Sequence, residues 1–223
     1  MRRILFVLAL VASPLALAQQ DVSKVNGSIR TEVGVRYGDL DTVNGSIEVA
    51  SGVVAGDVET VNGRIEVAEN ARIGGAETVN GRISIGENVV VDGDVESVSG
   101  SITVGAGSRV GGDIEAVNGA ITVTRAEVGG GIENVNGTIM LQGASVARSV
   151  ETVNGDIVIG RDSVVRGDII VRRSRGISLG RRAPPKVTIE SGATVEGRLV
   201  FEREVTLSIA PDAKVAHAEP VER

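Results

Sequence analysis

Seven carboxylates recur at one place in a repeating sequence. Asp41, Glu59, Glu77, Glu96, Glu115, Glu133 and Glu151 each stand two residues before a Val-Asn-Gly or Val-Ser-Gly tripeptide. Carboxylate oxygens suit hard divalent cations, but one column offers few ligands per ion. Stacked at strand spacing, such charges repel by about 1 kcal/mol per pair in water. The column is therefore expected to be a solvated face, partly neutralised by Arg or Lys. Glu59, Glu77, Glu96, Glu115, Glu133 and Glu151 are the candidates for loose divalent-cation association.

The other groups able to do chemistry are sparse. Asp57, Asp94, Asp113 and Asp168 recur at a second fixed position, which the repeat itself explains. There is one histidine, His217, and no cysteine, so a three-histidine zinc site cannot be built within the chain. No paired carboxylates fall beside a long loop that would form a cleft. No catalytic residue, cofactor or dedicated metal ligand is assigned. Arg172 to Lys186 is the one basic cluster: Arg172, Arg173, Arg175, Arg181, Arg182 and Lys186, with no acid and with Pro184-Pro185. It interrupts the repeat and reads as a loop able to meet an anionic partner, whether a phosphorylated envelope polymer or the acidic column of another copy.

The elements that position these residues follow from the period. Val-Asn-Gly begins at Val25, Val43, Val61, Val79, Val117, Val135 and Val153, and Val98-Ser99-Gly100 fills the gap, giving spacings of 18 or 19 residues. Internal repeats of this length indicate a solenoid. In the coil from Val98 the inward set is read as Val98, Ile102, Val104, Ser108, Val110 and Ile114, in pairs four apart recurring every six. Val, Ile, Thr and Gly dominate, which favours short strands with side chains alternating between faces. The expected fold is all-β: a single-stranded triangular parallel β-helix of about 18 residues per coil, compatible with either hand, and a rod of roughly 40–50 Å. The Asn of each tripeptide is expected at a corner in a left-handed conformation, its amides stacked along the rod.

Arg2 and Arg3, the apolar run Ile4 to Leu17 and Ala16-Leu17-Ala18 have the form of a signal peptide cleaved after Ala18, which implies export to the periplasm or cell surface. Removal of residues 1–18 leaves 21 basic against 29 acidic residues, a net charge of −8 that argues against nucleic-acid binding. No membrane-spanning segment is expected in the mature chain. The organisation is then 1–18 signal peptide, 19–171 repeats, 172–186 basic loop insertion, 187–215 further coils and 216–223 tail. Phe201 is expected to plug the C-terminal end of the core, while Val25, Ile29 and Val33 at one end and Leu207 and Ile209 at the other lie open.

Val54-Ala-Gly-Asp-Val58, Val91-Asp-Gly-Asp-Val95, Val110-Gly-Gly-Asp-Ile114, Val128-Gly-Gly-Gly-Ile132, Val165-Arg-Gly-Asp-Ile169 and Val195-Glu-Gly-Arg-Leu199 share the pattern Val-x-Gly-x-(Val/Ile/Leu). This resembles the coil motif of the bactofilins, polymer-forming cytoskeletal β-helix proteins, and implies assembly between copies. Bactofilins are cytoplasmic, a departure from the export signal seen here. Glu59-Thr-Val-Asn-Gly63 and Glu151-Thr-Val-Asn-Gly155 are similar to the β-strand repeats of bacterial adhesins. The six-residue spacing also resembles that of hexapeptide acyltransferases and carbonic anhydrases, but those use histidines that these repeats lack. The functional expectation is a non-enzymatic exported structural scaffold, bactofilin-like, that self-associates end to end or binds an anionic envelope polymer. The alternatives are a monomeric surface adhesin rod and, more weakly, a polysaccharide-active β-helical enzyme.

Overall fold

The computed structural model describes residues 19–173 and 183–222; the signal segment and Arg175, Arg181 and Arg182 lie outside them. Every regular element among the described residues is a β-strand, and every strand pairing is parallel. The chain winds as a β-solenoid with three strand columns. The coil around Glu96 is representative: Val95–Ser99 on the first face, Ile102–Val104 on the second and Arg109–Val110 on the third. The second face alone stacks ten strands, one per coil, from Ile29–Arg30 to Thr206–Ile209.

Register follows the sequence period. Leu40 pairs with Val58 and Val58 with Ala76, 18 residues apart, whereas Ala76 pairs with Val95 and Val95 with Ile114, 19 apart. The first extra residue is taken up at a corner, where Asp92-Gly93-Asp94 stands in place of Gly74-Gly75. Inward residues thereby stay aligned. Ile65, Ile83, Ile102, Ile121 and Ile139 form an unbroken inward column, all at most 1 % exposed. Each such side chain contributes about 1.5–3 kcal/mol by leaving water.

The inward set needs one correction. Val98 is 43 % exposed, and its neighbour Ser97 is buried in its place. Val95–Ser99 is a single strand with alternating faces, so Val95 and Ser97 point inward while Glu96 and Val98 point outward. The inward position beside the corner takes a small polar residue. Thr42, Thr60, Thr78 and Ser97 donate their hydroxyls to the carbonyls of Gly27, Gly45, Gly63 and Gly81, one coil earlier, at 2.9–3.2 Å. Among the described residues no buried side-chain polar atom lacks a hydrogen-bond partner, as burial requires.

The Val-Asn-Gly corner is shaped by close stacking rather than by a left-handed asparagine. None of its asparagines has a positive φ. A Cβ added at Gly63 or Gly100 would collide with the carbonyl of Gly45 or Gly81 one coil earlier, so the corner needs a residue without a side chain. A column of left-handed residues, glycine and non-glycine alike, forms a different corner, between the second and third faces. There Gly52, Asn70, Asn88, Gly107, Arg125, Gly143, Asp162 and Gly192 succeed one another with φ between 45° and 75°.

The basic insertion leaves the stack intact. Arg172 follows the strand Ile169–Val171, and the next second-face strand, Lys186–Ile189, pairs in register with Ile157–Ile159. Lys186 thus belongs to a strand, its N–H donating to Asp156 Oδ1 at 2.8 Å. Phe201 is buried at 4 %, against the last coils. The last strand, Lys214–Glu222, runs through most of the residues assigned above to a tail and includes His217, whose backbone pairs with Arg198.

Candidate functional site

The outer surface of the first face is the most distinctive part of the molecule. On a strand, residues two apart share a face, so the carboxylate column and the tripeptide valines lie side by side. Asp41, Glu59, Glu77, Glu96, Glu115, Glu133 and Glu151 are consecutive partners in register. Beside them Val43, Val61, Val98, Val117 and Val135 are 37–43 % exposed. Between the columns runs a groove, mostly apolar, with a volume of about 150 Å³ from Glu77 to Val153. It continues past Glu59 and Asp41 to Lys24 in the first coil.

A third column borders the valines. Asn44, Asn62 and Asn80 each donate a side-chain N–H to the amide oxygen of the asparagine one coil earlier, at 3.0–3.1 Å, beginning at Asn26. Asn136 and Asn154 continue the pattern from Asn118 at 3.1 Å. Ser99 divides the two runs, and Asn118 Nδ2 turns to the Val98 carbonyl at 3.5 Å.

The electrostatics follow from the stacking. Asp41, Glu59, Glu96 and Glu115 hold their protons more tightly than ordinary carboxylates, first because the groove partly desolvates them and then because like charges lie above and below. Among the described residues no three His, Cys, Asp or Glu side chains converge in a way that could hold a metal ion.

Each end of the groove carries a cation. At the C-terminal end the column changes character, Ile170 following Glu151 in register. Arg172 follows Val171, the register partner of Thr152, and so takes the valine position one coil beyond Val153. Its guanidinium forks onto the Glu151 carboxylate, with Nη2 to Oε2 at 2.8 Å and Nε onto Oε1. Glu151 is the less exposed partner, its side chain 12 % accessible against 50 % for Arg172. Arg173 turns away to Glu202, its N–H donating to Oε2 at 3.1 Å and its Nε to the carbonyl at 3.2 Å. The basic cluster is therefore divided: Arg172 faces the acidic column, Arg173 and Lys186 anchor the two ends of the insertion, and the other three arginines lie outside the described residues.

The second aspartate series has a structural duty. Asp39 Oδ1 accepts the Asp57 N–H at 3.0 Å, Asp94 Oδ1 the Asp113 N–H at 2.7 Å, and Asp113 Oδ1 the Gly131 N–H at 2.6 Å. Each carboxylate satisfies a corner amide one coil on. Asp168 accepts from the Arg198 N–H at 2.8 Å and pairs with its guanidinium at 2.7 Å. Sequence reasoning missed the groove beside the carboxylates. The signal was available: Glu96 and Val98, two apart on one strand, must share a face.

Among the described residues no helix is long and apolar enough to cross a membrane. No protein-family model, curated protein or solved structure matches the chain.

Proposed function

We propose that the chain is a non-enzymatic structural rod, exported to the periplasm or cell surface, that assembles end to end in the manner of bactofilin-like β-helix proteins. The observation that carries this reading is the state of the two ends. At the first coil, Gln20–Asn26 pairs only with Tyr37–Asn44, and Ile29–Arg30 only with Ile47–Val49. At the last, Thr206–Ile209 pairs only with Lys186–Ile189, and Lys214–Glu222 only with Thr194–Phe201. Among the described residues both ends leave one edge of each of these strands unpaired, and an open edge is a template for another chain. A contact between these two different ends is heterologous, and it propagates as a filament where its rotation does not close.

Apolar surface accompanies the edges. Val25 is 67 % and Val33 75 % exposed at the first coil, and Leu207 and Ile209 are half-buried at the last. Ile29, expected to lie open, is buried at 2 %, because it joins the core cluster together with Tyr37, whose hydroxyl accepts the Glu32 N–H at 2.9 Å. The variant that tests the end is therefore Val25→Lys/Val33→Lys, since a lysine at Ile29 would place a charge in the core.

Sedimentation velocity and electron microscopy of the chain from Gln19 onward, over a range of concentration and salt, test the proposal. Oligomers or filaments are expected, favoured by salt that screens repulsion between the acidic rods. The double lysine variant is expected to stay folded and fail to elongate. A strictly monomeric particle at high concentration would overturn end-to-end assembly in favour of a monomeric adhesin.

A further inference from the structure

We propose that the groove between the valine and carboxylate columns is a lateral docking surface for the basic segment, residues 172–186, of a second copy of this chain. The contact lies on the side of the rod and is independent of the end contact proposed above. Three observations support it.

First, the groove offers an apolar floor and one charged wall, and the segment carries both complements. Its six cations come without an acid, and the apolar Ile177 and Leu179 stand in its middle. Second, the molecule already pairs one such cation with the carboxylate column, at the end of the groove. Arg172 occupies a valine position and forks onto Glu151, so the spacing between the two columns fits a guanidinium planted in one and bonded to the other. Glu133, Glu115, Glu96 and Glu77 repeat that carboxylate position coil by coil, and among the described residues none of them has an ion-pair partner.

Third, reach separates the two possible sources of the segment. Residues 174–182 link Arg173, which follows the last first-face strand before the insertion, to Ala183, just before the second-face strand Lys186–Ile189. A tether of nine residues fixed at both ends reaches at most about 15 Å, half its contour at about 3.3 Å per residue, or some three coils at about 4.8 Å each. The column from Glu151 back to Asp41 covers six coil steps, about 29 Å. Asp41, Glu59 and Glu77 are beyond the chain's own segment, and only another copy can cover them.

The probe is a fluorophore-labelled peptide of residues 172–186, titrated at low salt with the chain from Gln19 onward and followed by anisotropy. Saturable binding is expected, weakened about tenfold by Glu59→Gln/Glu77→Gln/Glu96→Gln and by raised salt. The unlabelled chain should also associate at low salt, and a chain carrying Arg175→Ser/Arg181→Ser/Arg182→Ser should not. The Val25→Lys/Val33→Lys rod should bind the peptide normally, so loss of the end contact and loss of the lateral one are read separately. Thermal melts by circular dichroism confirm that each variant is folded. Equal affinity for the parent and the glutamine variant would overturn the proposal. So would peptide binding that requires prior removal of the chain's own segment, the outcome expected if that segment fills the groove of its own rod.

Discussion

Glu96 and Glu115 stand in register on neighbouring coils, and each holds its proton more tightly than a free glutamate. Partial burial in the groove is the larger cause and the neighbouring carboxylates the smaller. The backbone ladder fixes their separation, so neither side chain can relieve the repulsion by moving a coil away. The fold imposes this contact rather than being held by it.

A pH dependence follows. An acid whose pKa is raised on folding binds more protons in the folded state than in the unfolded one. Its stabilising contribution is complete below the unfolded value, about 4.3 for Glu, and is lost as pH rises through the raised folded value. The melting temperature is therefore expected to increase as pH falls from neutrality through the raised folded value towards about 4.3. Glu96→Gln/Glu115→Gln should flatten that rise. A wild-type profile that is flat or falls over the same interval would show that the column does not govern it.

Core and face are expected to differ sharply in tolerance. Ile102 is fully buried between Ile83 and Ile121, so Ile102→Asp should cost about 3–5 kcal/mol by leaving a charge without a partner in the core. Glu115→Ala on the outer face should stay within about 0.5 kcal/mol of wild type, or stabilise slightly. Urea denaturation of the two variants decides the assignment of inside and outside.

The corner makes a second contrast. Thr60→Val removes the hydroxyl that serves the Gly45 carbonyl and should cost about 1–3 kcal/mol. Val61→Thr, one residue on but outward and 40 % exposed, should be nearly neutral. Gly63→Ala drives a methyl group into the Gly45 carbonyl and should cost at least about 1–3 kcal/mol, since the clash is with backbone. A larger loss from Val61→Thr than from Thr60→Val would invert the strand assignment.

Calcium distinguishes a solvated column from a bridged one. Millimolar Ca²⁺ is expected to change the melting temperature no more than sodium chloride of equal ionic strength, because one column supplies few ligands per ion. A calcium-specific rise, lost in Glu77→Gln/Glu96→Gln, would instead identify the glutamates as cation ligands.

Much of the architecture was legible because the repeat states it many times over. The period, the parallel stacking and the inward Ile102 and Val104 follow from spacing alone. Val98 was misplaced for a physical reason: the tripeptide attracts notice as a unit, while the fold reads each residue by its parity within the strand. Ser97, small and polar, takes the inward place instead, where its hydroxyl meets the Gly81 carbonyl. The groove was hidden for the same reason, since an exposed valine column is not expected of a residue counted as core. The ion pair of Arg172 with Glu151 spans 21 positions, and no local pattern announces it.

The asparagine amides have a direction. In each run the donor belongs to the later coil and the acceptor to the earlier one, from Asn44 onto Asn26 and from Asn154 onto Asn136. Each run is thus a file of dipoles all pointing the same way, and the parallel strands share that sense. The rod is a vector, with a head that differs from its tail. An assembly of such rods would inherit two inequivalent tips, and subunits would add to them at two different rates.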